Sequence, residues 1–399
     1  MDWKEDKWVN RNMNQTIYTA WLDQVPGLGS RSIYKIMALF EDAEKVYKME
    51  EADLSQLVGM GVITNNQKSS FMNYREKKKP EEIAAELGTL GIKCVGFYDE
   101  DYPTKLREIQ LPPLNLYIKG KLPDEHKPAL GIVGARLCSD YGRLVARKYG
   151  EQMAAQGIQV ISGMALGIDG IAQKATMEKG GSSYGILGCG VDICYPDENR
   201  ALYEKLILSG GVISEYPPGV QPKSGLFPMR NRIISGLSDG LLVVEAREKS
   251  GTLITVDRAL EQGKEVWAVP GKVVDRLSLG CNRLISQGAG IALSPREVAD
   301  ALWEMYQCRE SNGSRTNDMR SNEAEESLCE HKPALNNATQ EERLIYEYIT
   351  NEYISVDELL DRLRGAGADI DASELYTILM NLKMRGYVKN VGSRFCVNL

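Results

Sequence analysis

Histidine is almost missing from this chain. Its 399 residues include only His126 and His331, and both fall in polar stretches resembling domain edges, not at the ends of apolar runs, which disfavours imidazole acid/base or metal chemistry. Paired cysteines are missing too: eight cysteines are scattered without one C-x-x-C, so zinc sites and redox dithiols lose support, and reduced, mostly buried thiols are expected. No cofactor is expected. No apolar run is long enough to cross a bilayer, and residues 1–14 set charges beside Trp3 and Trp8 where a secretory leader would be apolar. This predicts a cytoplasmic protein with no membrane contact. A formal net charge of -7 argues against indiscriminate binding to nucleic acid, but leaves room for a local basic groove, because phosphate affinity follows the nearby field.

What is present is the composition of a soluble globular protein, 43% hydrophobic and 26% charged, long enough for two or three domains. In 1–85, apolar residues at helical spacing, such as Ile33, Ile36, Met37 and Phe40, are interrupted by glycine-rich turns. They predict a small helical domain, SAM-like or helix-hairpin-helix-like. The turns Val25-Pro26-Gly27-Leu28-Gly29 and Leu57-Val58-Gly59-Met60-Gly61 fit either a tight connection or amides approaching a phosphate.

Over 90–305 short apolar runs alternate with amphipathic stretches, which predicts βαβ units and a mostly parallel sheet. Strands are expected at 129–133, 158–161, 183–187, 211–214, 241–245 and 265–269, with helices at 141–156, 168–178, 199–208 and 252–262. The fold class is α/β, an extended Rossmann-like doubly wound sheet whose ligand belongs at the carboxyl ends of the strands. Residues 306–340, rich in Ser, Asn, Glu and Arg, read as a flexible linker. In 341–399, helices at 342–349, 356–363 and 373–384 precede a hairpin around Gly392-Ser393, the order of a winged helix. Its third helix carries Glu374 at the start and Lys383 and Arg385 only at the end, which favours a protein-contact or regulatory role over DNA binding.

The first strand closes with Gly131-Ile132-Val133-Gly134-Ala135-Arg136, and Tyr141-Gly142 opens the next helix. Glycine lets the backbone turn sharply and bring amides to an anion, a helix N-terminus adds partial positive charge, and Arg136 can close over a phosphate. The pattern is neither G-x-G-x-x-G nor a P-loop. The next strand ends in Ser162-Gly163, where a nicotinamide site would place an acid on the ribose; a hydroxyl and an amide suit a phosphate instead. Asp169, in Gly167-Ile168-Asp169-Gly170, reads as a helix N-cap. Arg230, Asn231 and Arg232 precede an apolar helical stretch, and Ser250, Gly251 and Thr252 open a helix after a strand, both suited to anions. Alternatively, Arg230 and Arg232 form ion pairs with Glu215 and Glu245. Several anion sites on one sheet edge exceed what one nucleotide requires and match a polynucleotide held by its backbone with little sequence readout. Of Phe227, Tyr195 and Tyr216, one at most is expected to stack on a base.

Together with Tyr98-Asp99-Glu100-Asp101-Tyr102-Pro103, Gly188-Cys189-Gly190-Val191-Asp192-Ile193-Cys194-Tyr195-Pro196, Ser214-Glu215-Tyr216-Pro217-Pro218-Gly219, Ala268-Val269-Pro270-Gly271 and Gly288-Ala289, these segments resemble the DNA-processing protein A (DprA/Smf) family. The resemblance implies an extended Rossmann fold that binds single-stranded DNA, protects it and helps load the RecA recombinase in natural transformation, usually as a homodimer, flanked by an N-terminal helical domain and a C-terminal winged helix. Arg136 matches the family's phosphate-gripping arginine, and Lys223 lies near a basic residue used by relatives. Three positions depart from the pattern: Ala135 replaces a usual Ser, Gln173 a common histidine, and Asp197 stands where some relatives carry lysine, with Arg200 and Lys205 nearby as substitutes.

The expected function is a non-enzymatic single-stranded-DNA-binding protein. Its expected contacts are Gly134, Arg136, Ser162, Gly163, Lys223, Arg230, Asn231, Arg232, Ser250, Gly251 and Thr252. The alternatives are a hydrolase similar to the lysine-decarboxylase-like phosphoribohydrolases, with Glu215 or Glu245 as acid or base, and an adaptor that recruits RecA without touching DNA.

Overall fold

Apolar residues on both faces of the strands require helices above and below the sheet, and the computed structural model of the chain shows this arrangement. It describes residues 15–40, 42–317, 339–349, 354–365, 370–385, 387–391 and 394–397. The chain divides into two compact units, Met1–Asn317 and Asp318–Leu399.

The first unit opens with helices α1 (15–24), α2 (Ser30–Phe40), α3 (Ala43–Tyr47), α4 (Glu51–Gly59), α5 (Asn65–Lys77) and α6 (Pro80–Thr89). Side-chain caps explain two of the starts: Asp42 accepts the Glu44 and Lys45 amides before α3, and Thr64 forms a capping box with Gln67 before α5. Their core is centred on Trp21, whose ring meets Tyr47 at 4.9 Å and Phe71 at 5.0 Å, and whose Nε1 donates to the Lys78 carbonyl at 2.8 Å. Asp23 ties α1 to the sheet: it accepts from Asn115 at 2.6 Å and Tyr117 at 3.2 Å. Burial pushes its carboxyl up to about 7, against the pull of these two hydrogen bonds.

The sheet contains β1 (Lys93–Gly96), β2 (Asn115–Gly120), β3 (Ala129–Gly134), β4 (Gln159–Ser162), β5 (Ser183–Ile186), β6 (Gly211–Ser214), β7 (Gly240–Val244), β8 (Glu265–Ala268) and β9 (Gly290–Ile291). Their spatial order is β1-β2-β6-β5-β4-β3-β7-β8-β9. The β1/β2 and β2/β6 pairs are antiparallel, and the remaining pairs are parallel. Strand alternation sorts the core into two layers. Leu130, Ile132, Leu242 and Val244 pack with Ala146, Met153 and Ala172 of α8 (Asp140–Ala155) and α9 (Ile168–Glu178). Ala129, Val133, Leu241 and Val243 pack with Ile233, Leu237 and Val256 of α11 (Leu226–Leu237) and α12 (Gly251–Glu261), while α7 (Thr104–Arg107), α10 (Arg200–Ser209) and α13 (Leu279–Ser286) fill the remaining connections.

Helix α14 (Pro295–Asn317) continues through 306–317, residues whose composition predicts linker; His331 and Cys329 lie outside the described residues. The second unit contains α15 (Gln340–Tyr348), β10 (Ile354–Ser355), α16 (Val356–Gly365), α17 (Ala372–Met384), β11 (Val388–Val391) and β12 (Arg394–Val397). Its sheet has the order β10-β12-β11, and Phe395 of β12 packs with Ile345, Leu359, Leu375 and Leu379 of the helices. The Gly392-Ser393 turn lies outside the described residues.

Candidate functional site

From β3 the chain winds outward through β4 and β5 to β6, then crosses back to place β7 on the other side of β3. Loops leaving neighbouring β3 and β7 therefore diverge, opening a crevice at the carboxyl ends of the strands, where open α/β sheets bind ligands. A cavity of about 530 Å³ lies there, lined by both turns and by residues of α9 and α11.

Close backbone approach shapes this crevice. A Cβ on Gly134 would collide with the Val244 carbonyl, and one on Gly167, at φ 76°, would strike the Ala135 and Arg136 carbonyls. The turn carrying Arg136 is thereby pressed against the start of α9. Ser250 caps α12 by accepting the Thr252 amide at 3.2 Å, while Thr252 Oγ1 donates to the Gly134 carbonyl at 3.2 Å. Beyond β7, Glu245 adopts a left-handed φ of 56°, a conformation that costs about 1–3 kcal/mol in a non-glycine residue. Its carboxylate accepts the Ser139 amide at 2.9 Å and the Ser139 hydroxyl. Ser139 in turn caps α8 by accepting the Gly142 amide at 3.1 Å. Glu245 thus holds the end of α8 beside the crevice.

Two arginines of α11 have different partners. Arg230 is buried and donates to the carbonyls of Gly163, at 3.0 Å, and Ile186. Burial lowers its pKa to about 10, with Asp169 pulling the other way, so it is charged at neutral pH. Arg232 is also buried, but it meets both Glu215 oxygens at 2.7 Å and the Leu111 carbonyl at 3.0 Å. Exposed Arg136 stands 5.8 Å from the Phe227 ring centre, and Arg230 stands 6.0 Å from it. Phe227 stacks on exposed Tyr195 at 5.5 Å. The crevice therefore combines guanidinium groups, aromatic faces and a capped helix start, chemistry suited to an anion joined to a flat ring.

Gly134, Arg136, Arg230, Asn231, Ser250, Gly251 and Thr252 line the cavity together; Ser162, Gly163, Lys223 and Arg232 do not. The Ser162 hydroxyl donates to the Ile132 carbonyl at 2.6 Å, because this end of β4 turns its side chain against β3. The Gly163 amide donates to Asp169 at 3.1 Å and its carbonyl accepts Arg230. Exposed Lys223 sits between Pro222 and Ser224, which do line the cavity. Arg232 takes the ion-pair alternative with Glu215, whereas no Arg230–Glu245 pair forms, Glu245 being bound to Ser139.

Asp169 corrects the N-cap expectation: the cap is Gly167, and Asp169 lies buried in the first turn. Burial pushes its carboxyl up, opposed by Arg230 and the Gly163 amide. Phe227 and Tyr195 both line the cavity, while half-buried Tyr216 directs its hydroxyl to the Leu226 carbonyl at 3.5 Å. Gln173 is buried and braces Met164 and Tyr184. Ser224 and Thr255 were not among the expected contacts; helical spacing from Thr252 places Thr255 on the same face. Among the described residues no group of three His, Cys, Asp or Glu is placed to hold a metal ion, and no helix is long and apolar enough to cross a membrane.

The fold and cleft define a doubly wound α/β protein with a polar, arginine-bearing crevice at its topological switch point. Residues 93–303 match the family described as DNA recombination-mediator protein A. Protein Smf of Synechocystis sp. is 34% identical over 295 residues, 73% of this chain and 73% of that protein. Protein Smf of Escherichia coli is 42% identical over 261 residues, 65% of this chain and 69% of the relative. The X-ray structure of DNA processing protein A (DprA) from Streptococcus pneumoniae superposes with a TM-score of 0.61 at 34% identity, covering 71% of this chain and 96% of that one. The chain belongs to the DNA recombination-mediator protein A family, the DprA/Smf family.

Proposed function

We propose that this protein binds single-stranded DNA in the switch-point cleft, protects the incoming strand and helps load RecA recombinase during transformation. It does so in the cytoplasm as a homodimer and without a catalytic step of its own. The observation that carries this reading is the joint placement of Arg136, Arg230 and the Ser250-Gly251-Thr252 helix start around the stacked Tyr195 and Phe227 rings. Cations and amides suit phosphates, and aromatic faces suit unpaired bases of any sequence. Family membership supports the same function. Lys223, exposed beside the cavity, is a peripheral contact, whereas Ser162, Gly163 and Arg232 serve as supports.

The N-terminal helices form the SAM-like module and residues 341–399 the winged helix, with a protein-contact or regulatory role. Hydrolysis by Glu215 or Glu245 is disfavoured because both carboxylates already hold Arg232 and Ser139. Asp169 is the one carboxylate among the described residues that lines the cavity; release of a free base from a nucleoside monophosphate would restore the enzymatic alternative.

Titration of purified protein with single- and double-stranded oligonucleotides tests the proposal. Preferential single-strand binding, weakened for every sequence by Arg136→Ala, and RecA filament growth on the coated strand are expected. Filament growth stimulated by a protein that binds no DNA would favour the adaptor alternative.

A further inference from the structure

The cleft has two unlike flanks. Beyond β5, Asp197 is 85% exposed and paired with Arg200 at 3.0 Å, exposed Glu198 follows it, and Asp192 turns both carboxylate oxygens to the Gly219 amide at 3.0 Å. Beyond β7 and β8 stand Arg247, Lys249, Lys272 and Arg276, all exposed. None of these four is ion-paired among the described residues; the nearby acids Glu248 and Asp275 are bound to Arg283 and the Leu277 amide, and exposed Asp140 lies 4.0 Å from Arg143.

Contacts join this basic flank to the cleft. Lys249 immediately precedes the cleft residue Ser250. The Tyr141 hydroxyl on α8 donates to the Pro270 carbonyl at 3.1 Å, and the Gly280 amide donates to the Ala246 carbonyl at 2.8 Å. Asn282 pins Gly271 through bonds of 3.1 and 3.0 Å. Val273 and Val274, which stand between Lys272 and Arg276 in the chain, are 79% and 86% exposed, and Leu137, next to Arg136 in the turn after β3, is 79% exposed, an unusual place for side chains that ordinarily bury. Unpaired cations interleaved with apolar surface, continuous with a cleft for bases and phosphates, suit a strand whose phosphates and bases alternate.

We propose that single-stranded nucleic acid held in the cleft leaves it over the β7–β8 flank. Its phosphates lie on Arg247, Lys249, Lys272 and Arg276, its bases against Leu137, Val273 and Val274, and it avoids the acidic flank beyond β5. This path rests on the DNA-binding function proposed above.

The test uses the full chain and two fluorescent oligothymidylates of roughly 4 and roughly 16 nucleotides, the span of known single-strand site sizes. The double variant Lys272→Glu/Arg276→Glu is expected to bind the short strand as the unaltered protein does and the long strand several-fold more weakly. Its slope of log K against log salt on the long strand should shrink by about 1.4, about 0.7 for each phosphate no longer neutralised. Asp197→Lys should change long-strand binding less than the double variant does. Circular dichroism melts of these surface variants verify folding. If the double variant binds both strands normally while Arg136→Glu weakens both, the path is wrong and the cleft stands. If Arg136→Glu also binds normally, the cleft function falls, and the path falls with it.

Discussion

Arg230 and Arg232 leave the same helix two residues apart, yet one side of α11 is built for a ligand and the other for stability. Arg232 meets a bidentate carboxylate in a buried pair, so its charge is neutralised within the protein. Arg230 is equally buried but bonds to carbonyls and to Asn231, with Asp169 acting on it through space. Its positive charge therefore extends into the cleft, where exposed Arg136 adds to it. Motif spacing places both arginines near the site; the partner of each guanidinium decides which one can serve a ligand.

The largest expected effect falls on the stability side. Arg232→Ala leaves the Glu215 carboxylate buried without its partner, and unfolding in urea should show a loss of about 3–5 kcal/mol. A variant that is stable but fails to bind DNA would reverse the roles given to the two arginines. Next comes Asp23, another buried polar support. Its carboxyl keeps its proton to about pH 7 in the fold, against an ordinary value of 3.8, so the folded state binds more protons across that window. Stability is therefore expected to be greatest at the acid end, to fall by a few kcal/mol as pH rises through it, and then to level off. Denaturation midpoints of Asp23→Asn against pH should lose this slope; an unchanged slope would place its origin elsewhere.

Ser139→Ala removes the α8 cap and a partner of Glu245, for an expected loss of about 1–2 kcal/mol. A smaller thermal shift accompanied by weaker DNA binding would move Ser139 from support to contact. Arg136→Ala should change stability least, within about 0.5 kcal/mol, while reducing the salt slope of single-strand binding by about 0.7. That combination, poor binding in an intact fold, sharpens the contrast with Arg232 most clearly.

Much of the central sheet was legible because its strands are short apolar runs closed by glycine, proline or polar turns. The strand 211–214 and the helix 168–178 coincide with β6 and α9, and the other strands and helices predicted within 90–305 lie within one residue at each end. The antiparallel β1 and β2 and the short β9 carry no strand signal in the sequence. The 115–120 run that precedes the first parallel unit resembles any buried segment, and a two-residue strand has no period to detect.

At the site, Gly134, Arg136 and Ser250-Gly251-Thr252 could be located because strand-to-helix turns have a recognisable grammar. Ser162 could not be oriented, since a Ser-Gly pair at a strand end does not reveal which way its hydroxyl points. Asp169 reads as a cap in the sequence because Asp caps are common, but Gly167 holds that position where the chain presses against the Arg136 turn. The left-handed Glu245 left no sequence signal: an acid after an apolar strand reads as catalytic or ion-paired, and only the fold brings it to Ser139.

Photocrosslinking of a 4-thiothymidine oligonucleotide to the full chain, followed by peptide mass spectrometry, would locate the strand directly. Adducts should concentrate on the peptides carrying Arg136, Tyr195, Phe227 and Ser250, and be lost with Arg136→Glu. Adducts confined to Asp318–Leu399, or to the amino ends of the strands, would contradict a strand seated in the crevice between β3 and β7.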